Sequence, residues 1–139
     1  MTRQALLEYN PGMHDSQTTV AALRQLIGQF VERRDWRQFH APKNLAMSLA
    51  IEAAELMEHF QWLTIEQSRA VTGDPVKLAA IGEELADVLC YALAMANELD
   101  LDISQTVRDK MVKNERKYPA SEYRGRFGPE DPGTGVKSQ

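Results

Sequence analysis

The chain has 139 residues, of which 43% are hydrophobic and 26% charged, with a formal net charge of -4; this suits one globular domain with a core of its own. The acid excess argues against a general binder of nucleic-acid polymers or membrane surfaces, which needs a basic face. No apolar run is long enough to span a bilayer, the N-terminus lacks a signal-peptide core, and the single cysteine rules out an intrachain disulfide, so a cytoplasmic protein is expected.

In chain order, residues 1–17 are polar, contain Pro11-Gly12 and read as a flexible arm. A first helix is predicted over residues 19–35, where Val20, Leu23, Leu26, Ile27, Phe30 and Val31 recur at helical spacing. Trp36, Phe39 and His40 follow in a loop. Pro42 sits where a first-turn proline belongs and opens a second helix running to about residue 62. Thr64-Ile65-Glu66-Gln67 has the form of a capping box and starts a short turn that Gly73 ends. Asp74-Pro75 combines a cap with a first-turn proline and opens a third long helix to about residue 99. Asp102 opens a fourth, which must stop before Pro119. Residues 121–139, rich in glycine and proline, read as a disordered tail, which leaves 18–120 as the ordered domain. No segment alternates with period two, so the fold class is all-α.

The second and third helices carry the chemistry. Leu45, Ala46, Met47, Leu49, Ala50, Ile51, Ala53, Ala54, Leu56, Met57 and Phe60 cover nearly the whole circumference of the second, the pattern of a helix that is buried or packed between subunits. Ser48, Glu52, Glu55 and His59 interrupt it as one line down one face. The third helix is apolar from Leu85 to Ala96 around Glu84, Asp87 and the amphipathic Tyr91. A carboxylate in an apolar helix is costly unless it is paired or binds a cation. Two such acid pairs packed face to face repel severely without a cation between them, and no lysine or arginine lies on either stripe. An all-oxygen site of this charge selects a hard cation, Mg²⁺ with Mn²⁺ as substitute, ahead of Zn²⁺. A di-iron bundle wants Glu-x-x-His on two helices, a motif this chain lacks. Glu58 and Glu83 neighbour the stripes but face away from them, and His59 reads as a helix-end histidine. Cys90, in an apolar run, reads as a small core residue.

The fourth helix carries Lys110, Lys113, Arg116 and Lys117 around Asn114. Cations at a helix C-terminus are a routine dipole device; beside an acid-held metal they also form a clamp for phosphate oxygens. Trp36, Phe39 and His40 are candidates for stacking on a flat base, whereas Trp62, at a helix end, defaults to a core plug.

Glu52-x-x-Glu55 followed by Glu84-x-x-Asp87 resembles the signature of the MazG-like all-α nucleoside triphosphate pyrophosphohydrolases. The runs Arg34-Asp35-Trp36-Arg37-Gln38-Phe39-His40, Phe60-Gln61-Trp62, Glu83-Glu84-Leu85-Ala86-Asp87 and Lys110-Met111-Val112-Lys113-Asn114 look like the dCTP pyrophosphatase branch, and the resemblance covers about residues 18–120. It implies a four-helix-bundle-like fold assembled as a dimer or a dimer of dimers. It also implies Mg²⁺-dependent hydrolysis of a (deoxy)nucleoside triphosphate, dCTP or a modified dCTP, to monophosphate and pyrophosphate in nucleotide-pool house-cleaning. Glu52, Glu55, Glu84 and Asp87 match the metal-binding, catalytic acids. Trp36, His40, Trp62, Tyr91 and Asn114 match nucleotide-pocket positions, and Lys110, Lys113, Arg116 and Lys117 would serve the phosphates. The alternatives are a related enzyme acting on another nucleotide, such as dUTP or phosphoribosyl-ATP, and a helical oligomeric module that binds a nucleotide–metal complex without turnover.

Overall fold

The computed structural model describes residues 12–128 and 130–131; most of the expected N-terminal arm and the end of the expected C-terminal tail lie outside them. Among the described residues every regular element is helical. In chain order these are α1 (Val20–Glu32), a 3-10 turn (Trp36–Phe39), α2 (Pro42–Glu58), the short α3 (Ile65–Arg69) continued by a 3-10 turn (Ala70–Gly73), α4 (Pro75–Glu98), α5 (Ile103–Lys117) and α6 (Ala120–Tyr123). None of them is long and apolar enough to cross a membrane.

The starts of the helices follow local chemistry. The Thr19 hydroxyl accepts from the Ala22 amide and opens α1. At α3 the capping box is complete, with the Gln67 amide on Thr64 Oγ1 and the Thr64 amide on Gln67 Oε1. The Asp74 carboxylate takes the Val76 and Lys77 amides, and Pro75 occupies the first turn of α4. Helix α2 ends at Glu58, earlier than expected. The Phe60 and Gln61 amides both turn back to the Met57 carbonyl, and that shared acceptor converts the predicted last turn into a tight reversal.

The described residues form two compact units that divide between Leu101 and Asp102. In the first, α4 packs along α2 and against α1. Among the described residues the buried hydrophobic side chains are Leu45, Leu93, Ala94 and Ala96, so the core lies where the start of α2 meets the C-terminal half of α4. Arg24 ties α1 to that end. Its guanidinium donates to Asn97 Oδ1 and to the Ala96 and Leu101 carbonyls, and Asn97 Nδ2 returns a bond to the Arg24 carbonyl. The arginine thereby joins α1 to the reversal after α4, where the Leu101 amide also returns to the Ala96 carbonyl.

The apolar circumference of α2 is not enclosed within the chain. Met47, Ile51 and Met57 on α2, and Leu78, Leu85 and Leu89 on α4, are exposed. Cys90, expected in the core, is also exposed, because it borders an open cavity beside α1. Trp62 is no core plug: 87% of it is accessible, since the turn after α2 directs it outward.

In the second unit, the Asp102 carboxylate caps α5 through the Gln105 amide. Tyr118 and Tyr123 meet edge to face at 5.3 Å, with the Lys117 ammonium 5.1 Å from the Tyr118 ring centre.

Candidate active site

The i, i+3 spacing places Glu52 and Glu55 one turn apart on α2, and the same spacing places Glu84 and Asp87 on α4. Packing of α2 on α4 turns two separate pairs into one cluster. Carboxylate oxygens of Glu52, Glu55 and Glu84 all lie within 4.8 Å of one another. Asp87 stands outside that trio but within electrostatic reach. Glu52 is half-buried, and its carboxyl is held above the ordinary value by burial first and then by the charges of Glu55, Asp87 and Glu84. Among the described residues no lysine or arginine forms an ion pair with any of the four. Three converging oxygen donors without a cationic neighbour fit a hard divalent ion in both number and type.

Asp87 has a second neighbourhood. It lines a cavity of about 380 Å³ between α1, the Trp36–Phe39 turn and α4, together with Phe30, Trp36, His40, Cys90 and Tyr91. Leu26, Ile27, Val31 and Ala94 complete an apolar wall. The volume falls in the range of small-molecule pockets, and the composition, apolar and aromatic with a few polar groups, is typical of them. A smaller cavity of about 190 Å³ adjoins it, sharing Ile27, Val31, His40 and Ala94 and adding Glu32, Arg37, Asn97 and Glu98. Asp87 therefore lines the aromatic cavity while its charge acts on Glu52 of the acid trio.

The fold thus brings together seven of the residues singled out in the sequence: the four acids, Trp36, His40 and Tyr91. Trp62 does not line either cavity, and Phe39 is 60% exposed, its carbonyl accepting from the Asn44 side chain. Lys110, Lys113, Arg116 and Lys117 are exposed on α5 in the second unit, where Asn114 Nδ2 approaches Met111 Sδ at 3.9 Å. Phe30 and Cys90 are both cavity residues; the sequence showed Phe30 only as one of the apolar residues at helical spacing in the first helix and read Cys90 as a core residue. Both occupy apolar helical positions, and periodicity cannot separate a core face from a pocket wall.

A model of the MazG-like family matches residues 47–126, a stretch that holds all four acids. The dCTP pyrophosphatase 1 of Bos taurus is 40% identical over 115 residues, covering 83% of this chain and 68% of that protein. The dCTP pyrophosphatase 1 of Homo sapiens is 42% identical over 102 residues, covering 73% of this chain and 60% of that protein. Among solved structures, a pyrophosphatase from Archaeoglobus fulgidus is similar with a TM-score of 0.66 at 37% identity, covering 77% of this chain and 98% of its own. With its paired acids on α2 and α4 and a family match over most of the helical region, the chain belongs to the MazG-like family.

Proposed function

We propose that this chain is a nucleotide pyrophosphohydrolase that cleaves a (deoxy)nucleoside triphosphate, dCTP or a modified dCTP, to the monophosphate and pyrophosphate with Mg²⁺. The observation that carries the reading is a three-glutamate cluster whose electrostatic neighbour Asp87 lines an aromatic cavity of nucleobase size. The relatives named for dCTP pyrophosphatase activity support the substrate class.

Glu52, Glu55, Glu84 and Asp87 would hold the metal. When bound, Mg²⁺ neutralises phosphate charge and activates the attacking water. The chain's own groups do the rest. Trp36 and Tyr91 offer flat surfaces to the base, and His40 offers a ring nitrogen to its edge. The apolar wall from α1 excludes water from the base. Water attacks a phosphorus of the α–β bridge, a carboxylate of the cluster takes its proton, the bridging P–O bond breaks, and pyrophosphate departs. The resemblance adds nucleotide contacts from Trp62, Lys110, Lys113, Asn114, Arg116 and Lys117, a role that Lys113→Glu tests through the KM for dCTP. The same reading includes a bundle-like assembly of two or four chains, supported by the exposed Met47, Ile51, Leu85 and Leu89.

Purified protein given dCTP and Mg²⁺ is expected to release pyrophosphate, and Glu52→Gln or Asp87→Asn to lower kcat by about a hundredfold or more. A panel with dUTP, modified dCTPs and phosphoribosyl-ATP ranks the substrates. Release of inorganic phosphate alone would overturn cleavage at the α–β bridge. Mg²⁺-dependent dCTP binding without turnover would instead favour a non-catalytic module.

A further inference from the structure

The strongest feature left over is the chain reversal between α1 and α2. The Arg34 guanidinium carbon lies 3.6 Å from the centre of the Phe30 ring and 5.8 Å from that of Trp36. The two rings meet edge to face, with centres 5.8 Å apart and planes at 75°. Arg34 Nη1 also donates to the Phe30 carbonyl at 3.0 Å. Among the described residues no carboxylate pairs with this half-buried arginine, so its charge faces two rings and one carbonyl.

The backbone makes the grouping available. Asp35 adopts φ 52°, a left-handed conformation that an aspartate tolerates better than most residues. The Gln38 side chain stabilises it by donating to both the carbonyl and the carboxylate of Asp35. This reversal carries Trp36 back beside Phe30. Phe30 and Trp36 line the larger cavity, and Arg34 does not.

We infer that Arg34 is a positioning residue that fixes the Phe30–Trp36 wall in the arrangement that receives the nucleobase, an inference that rests on the cavity being the base pocket. Trp36 is 44% exposed, and its ring rests edge to face against Phe30. A cation held over an aromatic face is attracted to it directionally, whereas an aliphatic side chain of the same length only fills space. Ordering the wall before the base arrives removes a conformational cost from binding. The effect therefore belongs in KM for the nucleotide and leaves the bond-breaking step alone.

The test uses the full chain labelled with 5-fluorotryptophan. Its two tryptophans give two fluorine resonances, and that of Trp36 is assigned by its loss in Trp36→Phe. Arg34→Met is expected to move the Trp36 resonance, leave that of Trp62 in place, and raise the KM for dCTP roughly fivefold with kcat within about twofold. Arg34→Lys, which keeps the cation, should recover most of the loss. A Trp36 resonance unmoved in Arg34→Met, or one that moves while KM stays constant, overturns the inference. Should Arg34→Met fail to fold, Phe30→Leu carries the test, because it removes the central ring and leaves Arg34 intact. It is expected to shift the Trp36 resonance and raise KM, and wild-type behaviour in both overturns the inference. Trp36→Ala separates the two levels of the argument. If that variant keeps the wild-type KM, the cavity is not the base pocket and the role of Arg34 falls with it. If its KM rises while Arg34→Met changes nothing, the pocket stands and only the positioning role is lost.

Discussion

A single carboxylate reports on the whole acid cluster. Glu52 is held above its ordinary value of 4.5 by burial and by three neighbouring acids. A raised carboxyl means that the folded state prefers the protonated form. The stabilising contribution is complete below 4.5 and is lost as pH rises through the folded value. The metal-free protein should therefore lose, on going from acid to neutral pH, a share of thermal stability that Glu52→Gln does not lose. Comparing the melting curves of the two proteins across pH isolates that share, and identical pH profiles would refute it. Mg²⁺ competes with the same proton, so its affinity should fall as pH drops through the Glu52 value, as read by calorimetry. The chemistry of these acids was legible because their residue type is wrong for an apolar helix. Phe30 and Cys90 gave no such signal, since a phenylalanine or cysteine suits a core face and a cavity wall equally.

At the scale of the helix, starts were more legible than ends. Thr64, Asp74-Pro75 and Asp102 act on amides two or three residues away, so their effect is written in adjacent sequence. The end of α2 was not, because it depends on two amides competing for the Met57 carbonyl. The Asp74 cap matters beyond its own turn, since α4 carries Glu84, Asp87 and Tyr91. Asp74→Ala leaves the Val76 and Lys77 amides without that carboxylate and should lower stability by about 1 kcal/mol. Urea unfolding should show a lower midpoint with an unchanged slope. The pyrophosphate-releasing activity of the folded fraction should be retained, because the cap touches neither the cluster nor the cavity.

At the scale of the whole molecule, enclosure among the described residues is thin. The buried hydrophobic side chains among the described residues are Leu45, Leu93, Ala94 and Ala96, while Leu78, Leu85 and Leu89 form an exposed apolar line along α4. Such an exposed apolar line fits the contact surface of the proposed assembly. Leu85→Glu should place a charge in that surface and reduce the particle mass seen by light scattering on a sizing column. A wild-type protein that already runs with the mass of one chain would contradict the assembly.

The sequence by itself determined the helices, most of their caps, and the fact that two of them each present an acid pair on one face. These follow from the helical repeat and from hydrogen bonds spanning a few residues. Only the tertiary structure decided that Glu52, Glu55 and Glu84 converge while Asp87 turns toward the aromatic cavity. It alone set Phe30 in the cavity wall under Arg34 and left Trp62 outside. The helical repeat assigns a residue to a face. Which helix that face meets, and at what distance, is set by the packing of α1 and α2 on α4, to which residues far apart in the chain contribute.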